Sequence, residues 1–117
     1  MRLAPIVQPG PELSAGDRER FARHLPIPGL GETGQRRLLA ARVCVVGAAG
    51  LGSPALLYLA AAGAGTLGVV DADDVEVVNL QRQVLHSSAG VGIPKADSAR
   101  DRLAELDPGL VVRTHRV

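Results

Sequence analysis

Apolar residues along the chain gather into short blocks whose spacing alternates between helical and strand-like. Ser14 sits where it can cap a helix whose third position is Asp17. Phe21 and Leu25 fall on one face of that helix before Pro26 and Pro28 end it. After the loop IPGLGETG, the segment QRRLLAA over residues 35–41 predicts a second short helix. The continuous apolar run Val43–Val46 predicts a buried strand, and the glycine-rich turn behind it hands over to a helix at about 51–62, with Gly63 as a left-handed stop. Thr66–Val70 reads as a second buried strand ending at Asp71. Residues 72–93 are mostly irregular, and connections this long tend to be functional. Pro94 suits a first helical position, and Ala96, Ala99, Leu103 and Leu106 mark one face of a helix that stops before Pro108. Leu110–Val112 starts a third strand.

From residue 43 onward the order is strand, helix, strand, helix, strand. The right-handed crossover rule turns that order into a parallel sheet. The expected fold class is therefore α/β: a Rossmann-like sheet, the first βαβαβ half of a doubly wound fold, preceded by N-terminal helices. Residues 1–13 are expected to be a loose tail, because Pro5 and Pro9 break the opening MRLAPIVQPG before it reaches signal-peptide length. The 28 uncharged residues from Val43 to Val70 would suit a membrane span by length alone. Six glycines and Pro54 within them favour the buried strand, turn, helix and strand instead.

A length of 117 residues bounds the chain to one domain. Hydrophobic residues make up 46% but aromatics only 2%, so the core must be built from Ala, Val and Leu. The net charge is +1, and twelve of the thirteen basic residues are Arg, with Lys95 alone. No clustered basic excess supports a nucleic-acid partner. The single cysteine, Cys44, rules out an internal disulfide or multi-cysteine zinc site within the chain and fits a reducing, cytoplasmic compartment. In the first strand it reads as a small core hydrophobe. His24, His86 and His115 lack metal-ligand spacing, and Ser53 reads as a helix cap, since G-x-S-x-G is not matched.

The candidate chemistry begins at VCVVGAAGLG. As a dinucleotide fingerprint G-x-G-x-x-G, the turn has Gly47 and Gly52 but Ala49 in the middle; as G-x-x-G-x-G it has Gly47, Gly50 and Gly52. Either way, amides around Gly50 to Ser53 would face an anion, unless the turn serves only the chain reversal. Asp71, 24 residues after Gly47, stands where such folds place an acid on ribose hydroxyls, which serves NAD and ATP equally. A turn-capping role is the alternative. In DADDVEVVNLQRQVLH, the donors Asn79, Arg82 and Gln83 lie among apolar residues, so the loop is expected to pack down. Arg82 then meets either a phosphate or one of the acids at 71, 73 and 74. Asp73 could also lie near a metal. Lys95, in the first turn of a helix, opposes the helix dipole, so its charge serves a phosphate or solvent.

The GxxGxG turn, D-x-D-x-V-x-x-x-N-L-x-R-Q over Asp71 to Gln83, V-G-x-x-K over Val91 to Lys95 and the opening R-F-x-R over Arg20 to Arg23 together resemble the ThiF/MoeB family. These are sulfur-carrier-protein adenylyltransferases related to ubiquitin-activating enzymes, and the resemblance covers roughly residues 17–117. It implies activation of the C-terminal glycine of a ubiquitin-like carrier by ATP, with pyrophosphate released and an acyl-adenylate left. It further implies that Asp71 holds the ribose and Gly50 lies against the nucleotide within the turn of Gly47 and Gly52. Asn79, Arg82 and Lys95 would contact the phosphates, and Arg23 would reach those of the neighbouring subunit in a homodimer. Arg23, Arg82 and Lys95 are thus the expected catalytic residues.

The chain departs from the family at Ala49, where a glycine is common, and at Gly90, where an Asp is frequent. By the resemblance, residues 14–117 form the N-terminal part of a domain about twice as long. The missing part would carry the aspartate that binds Mg2+, the zinc cysteines and most of the carrier-docking surface. A non-catalytic module binding NAD, FAD or ATP is the alternative function.

Overall fold

The computed structural model describes residues 3–117. Three strands, β1 (Arg42–Val46), β2 (Thr66–Val70) and β3 (Val111–His115), form one parallel sheet in the order β1-β2-β3. Parallel neighbours need crossovers, supplied here by helix α3 (Gly52–Ala62) between β1 and β2 and helix α4 (Lys95–Leu106) between β2 and β3. Two further helices, α1 (Ala15–Arg20) and α2 (Gly31–Ala40), precede the sheet. The expected Rossmann-like α/β half is therefore present. Among the described residues no helix is long and apolar enough to cross a membrane.

The core lies between the sheet and the two crossover helices. Leu67 and Val69 of β2 are fully buried against Leu56 and Ala60 of α3 and Ala96, Ala99 and Leu103 of α4, with Val43, Val45 and Val112 packed alongside. Each fully buried Leu or Val here contributes about 1.5–3 kcal/mol. Because side chains alternate across a strand, the other face presents Arg42, Cys44 and Val46, then Gly68, then Arg113 and His115. Cys44 is accordingly exposed and not a core residue, which corrects its expected place. Val46 on the same face is 80% exposed.

The N-terminal region differs from expectation in two details. Helix α1 begins as expected, with the Ser14 and Asp17 side chains capping each other's amides, but it stops at Arg20 instead of reaching Leu25. The chain continues in three-residue turns, His24 N–H to Phe21 C=O and Ile27 N–H to His24 C=O. These turns bury Phe21 and bring His24 Nδ1 within 2.7 Å of Gln35 Oε1. Helix α2 begins at Gly31, within the stretch expected to be a loop, and buries Gln35, whose Nε2 donates to Ala62 C=O at the end of α3. Of the tail expected over 1–13, residues 1 and 2 lie outside the described residues. Its far end is tied to α2 through Arg36, whose Nε donates to Gly10 C=O, and Leu13 is buried.

Gly63 ends α3 in the left-handed conformation expected of it, with φ 98°. A Cβ there would lie 2.4 Å from Gln35 Nε2 and 2.7 Å from Phe21 Cζ. Gly63→Ala is thus expected to destabilise the fold by about 2–4 kcal/mol, combining a forced positive φ with overpacking. Gly16→Ala, in exposed α1 with only Ser14 Oγ nearby at 3.8 Å, should instead stabilise by about 0.5–1 kcal/mol. Urea midpoints of the two variants check the opposite signs.

Candidate functional site

The turn after β1 owes its shape to two of its three glycines. Gly47 has φ 98°, and a Cβ on Gly52 would lie 1.7 Å from Gly47 C=O, so both must be glycine. Gly50 has neither constraint, and a Cβ there would enter open space. Helix α3 follows without a side-chain cap. The Ser53 amide bonds back to Ala49 C=O, whereas the amides of Gly50, Leu51 and Gly52 make no hydrogen bond among the described residues. An uncapped helix start of this kind carries partial positive charge at the carboxyl edge of a parallel sheet. Ser53 itself is not the cap expected of it. It lies inside α3, fully buried, and its Oγ has no partner.

Asp71 leaves the end of β2 and ties the turn to the following loop. Its Oδ2 accepts from Ala48 N–H at 2.8 Å and its Oδ1 from Asp73 N–H at 2.9 Å. A carboxylate oxygen accepts more than one hydrogen bond, so these two amides do not exhaust it. The loop then pairs with the approach to α4. Val75 N–H bonds Ile93 C=O, Gly92 N–H bonds Val75 C=O and Lys95 N–H bonds Asp73 C=O. Through this pairing Asp73, Asp74, Glu76, Asn79 and Lys95 line one hollow. Asn79 is buried, with its Oδ1 accepting from Glu76 N–H at 3.0 Å. Lys95 opens α4 one residue after Pro94, which takes the N-cap and not the first helical position. It is only 6% exposed and has no ion pair among the described residues.

The turn and α4 are joined by a residue considered in the sequence only for metal spacing. His86 is buried, its Nε2 2.7 Å from Ala48 C=O and its Nδ1 2.7 Å from Ser98 Oγ. A carbonyl only accepts, so Nε2 carries the proton and Nδ1 accepts from the serine hydroxyl. Burial pushes the imidazole below its ordinary pKa, and the charge of Lys95 works in the same direction. The bond to Ala48 and the charge of Asp71 oppose it. The signal available in the sequence was a histidine between the apolar Leu85 and a polar run, in a loop otherwise read as packed down.

The expected site residues thus divide. Gly47, Gly50, Gly52, Asp71, Asn79 and Lys95 lie on connected elements at the carboxyl edge of the sheet. Arg82 pairs with none of the acids at 71, 73 and 74: it is exposed, and its Nη1 donates to Val78 C=O at 3.1 Å. Arg23 lies in the turns after α1, exposed and without a side-chain bond among the described residues, and is not brought to the others. No group of three or more His, Cys, Asp or Glu forms a metal site among the described residues.

A parallel α/β sheet, a glycine turn and an uncapped helix start together define a Rossmann-like half-domain of the nucleotide-binding type. The chain belongs to the ThiF family, whose profile matches residues 21–117. It is 55% identical over 115 residues to the probable adenylyltransferase/sulfurtransferase MoeZ of Mycobacterium tuberculosis, covering 98% of this chain and 29% of that protein. It is 57% identical over 96 residues to the adenylyltransferase and sulfurtransferase uba4 of Aspergillus fumigatus, covering 82% of this chain and 20% of that protein. Among solved structures it resembles the Escherichia coli tRNA N6-threonylcarbamoyladenosine dehydratase TcdA in complex with ATP. The TM-score is 0.82 and the identity 33%, over 89% of this chain and 42% of that one. The chain therefore spans less than a third of the length of these curated relatives.

The state of His86 yields a pH prediction. Its folded pKa lies below the ordinary 6.5, so the unfolded chain takes up the proton first as pH falls. Its contribution to stability is complete above about pH 6.5 and is lost on acidification through the lower folded value. In urea titrations the parent should lose stability below pH 6.5 with an added slope of at most about 1.4 kcal/mol per pH unit, and His86→Gln should lack that increment.

Proposed function

We propose that this chain is the ATP-binding, N-terminal part of an adenylyltransferase acting on a ubiquitin-like sulfur-carrier protein of the molybdopterin or thiamine type. The carrier's terminal carboxylate attacks the α-phosphorus of ATP, the bond from that phosphorus to the pyrophosphate oxygen breaks, and pyrophosphate leaves an acyl-adenylate behind. The observation that carries the reading is Lys95, a largely buried side chain with no ion pair among the described residues, lining a hollow at the carboxyl side of the sheet. A nucleotide phosphate supplies the missing anion.

The other residues take roles suited to such chemistry, which is mainly positioning and charge stabilisation. The free amides of Gly50 to Gly52 and the open space at Gly50 suit the close approach of a phosphate to the backbone. Asp71, already holding two amides, retains acceptor capacity for a ribose hydroxyl. Asn79 and Lys95 would contact phosphates from inside the hollow. Arg82 would do so by exchanging its bond to Val78 C=O for a charge-assisted one. The acids at 73, 74 and 76 oppose phosphate on the same rim, which suits ATP entering with Mg2+. They do not gather into a metal site among the described residues, so other ligands would complete the ion's coordination. Arg23, exposed and uncommitted, suits a role across a homodimer. TcdA, at 33% identity, was solved with ATP, and MoeZ carries the activity in its name. A free, exposed thiol at Cys44 suits a cytoplasmic location.

The intact protein should bind Mg-ATP in preference to NAD by calorimetry and support carrier-dependent ATP–pyrophosphate exchange. Arg82→Ala and Lys95→Met should each weaken ATP binding about tenfold or more. Gly50→Ala should lower ATP affinity while leaving the melting temperature nearly unchanged, because its methyl group meets nothing inside the fold. Preference for NAD, with Arg82→Ala silent, would point to a dinucleotide-binding module and sink the adenylyltransferase reading.

A further inference from the structure

We propose that His86 is a positioning residue of the nucleotide site, its imidazole fixing the glycine turn to the first turns of α4. The proposal rests on the ATP-binding reading above and adds to it a residue outside the expected phosphate and ribose contacts.

The bridge begins at Ala48, in the glycine turn. Ala48 N–H is held by Asp71 Oδ2 at 2.8 Å and Ala48 C=O by His86 Nε2 at 2.7 Å, so the two peptide groups that flank the Ala48 Cα are both held. The free amides of Gly50 to Gly52 begin two residues after Ala48 and take their direction from it. At its other nitrogen, the ring receives Ser98 Oγ–H at 2.7 Å. Ser98 lies one helical turn beyond Lys95, on a helix whose first residue is that lysine. A rigid, planar ring with both nitrogens committed therefore sets the spacing between the two groups that would hold opposite sides of a triphosphate. Gly90 keeps this bridge uncrowded, since a Cβ there would sit 3.3 Å from Ser98 Oγ.

A histidine serving only the core could be replaced by an apolar ring of similar size at little cost to nucleotide binding. A spacer could not, because Phe fills the volume yet neither donates to Ala48 C=O nor accepts from Ser98. Gln restores the donor to the carbonyl and part of the reach. The test is steady-state exchange by the intact protein, with rates corrected for folded fraction, comparing His86→Phe, His86→Gln and Ser98→Ala.

His86→Phe is expected to raise KM for ATP about tenfold or more while the KM for the carrier stays within about twofold, with His86→Gln recovering most of the loss. Both His86 variants keeping the parental KM for ATP, whatever their melting temperatures, would overturn the proposal. If His86→Phe does not fold, Ser98→Ala decides, since it removes one bond and leaves the ring. A KM for ATP raised about threefold supports the spacer, and an unchanged one refutes it. A parent without ATP-dependent exchange would refute the nucleotide reading itself, which no outcome among the variants can do.

Discussion

The carbonyl oxygen of Gly47 lies where a side chain on Gly52 would begin, and the rest of the site follows from that approach. β1 ends at Val46 and α3 starts at Gly52, so the chain must reverse its hydrogen-bonding pattern within five residues. Only glycine allows the backbone to close that distance, with Gly47 supplying the positive φ that turns it. The result is a helix start placed over the end of a strand, with amides left without partners. Asp71 from the neighbouring strand then fixes the turn from one side and His86 from the other. Two segments distant in sequence are tied to one residue, Ala48, so a turn that would be pliable in isolation becomes rigid.

Much of this was legible because it obeys local rules. Period and punctuation located Thr66–Val70 and the Gly63 stop, and the β-α-β-α-β order fixed the parallel sheet. Asp71 could be singled out as a ribose or turn-capping acid because it closes an apolar strand. Long-range contacts were harder to see. Nothing near Phe21 in sequence announces that its ring packs where a Cβ of Gly63 would lie, so α1 was expected to run on to Leu25. Arg82 was expected to need an anion, yet a carbonyl four residues back serves it in a loop where the spacing could not decide between partners. His86 escaped because its two partners lie 38 and 12 residues away and neither is a metal ligand.

Cys44 shows the same limit from the other direction. An uncharged strand in a parallel sheet is normally covered on both faces, so an apolar run predicts burial for every residue in it. Here both crossover helices pack on one face, and the alternation of side chains leaves Cys44 and Val46 on the other. Apolarity in the sequence records what a strand is suited to touch, whereas exposure depends on which elements are present to touch it. The chain spans 29% of MoeZ and 42% of TcdA, so those relatives have further polypeptide with which to cover such a face.

Adenylyl transfer asks little covalent chemistry of a protein and a great deal of geometry, since the attacking carboxylate, the α-phosphorus and the leaving oxygen must come into line. A site made of backbone amides, one buried lysine and a few polar side chains is adequate for that work only if its parts keep their distances. Backbone amides cannot be repositioned by a rotamer change, and Lys95 opens a helix whose axis is set by the packing of Ala96, Ala99 and Leu103. Precision therefore has to come from whatever joins the turn to that helix. Apolar contacts between α3 and α4 bring the two elements together, whereas a ring hydrogen-bonded at both nitrogens ties the turn itself to α4, at 2.7 Å on either side. In this fold the hydrophobic core brings the halves of the cradle together, and a buried polar bridge determines how far apart they stand.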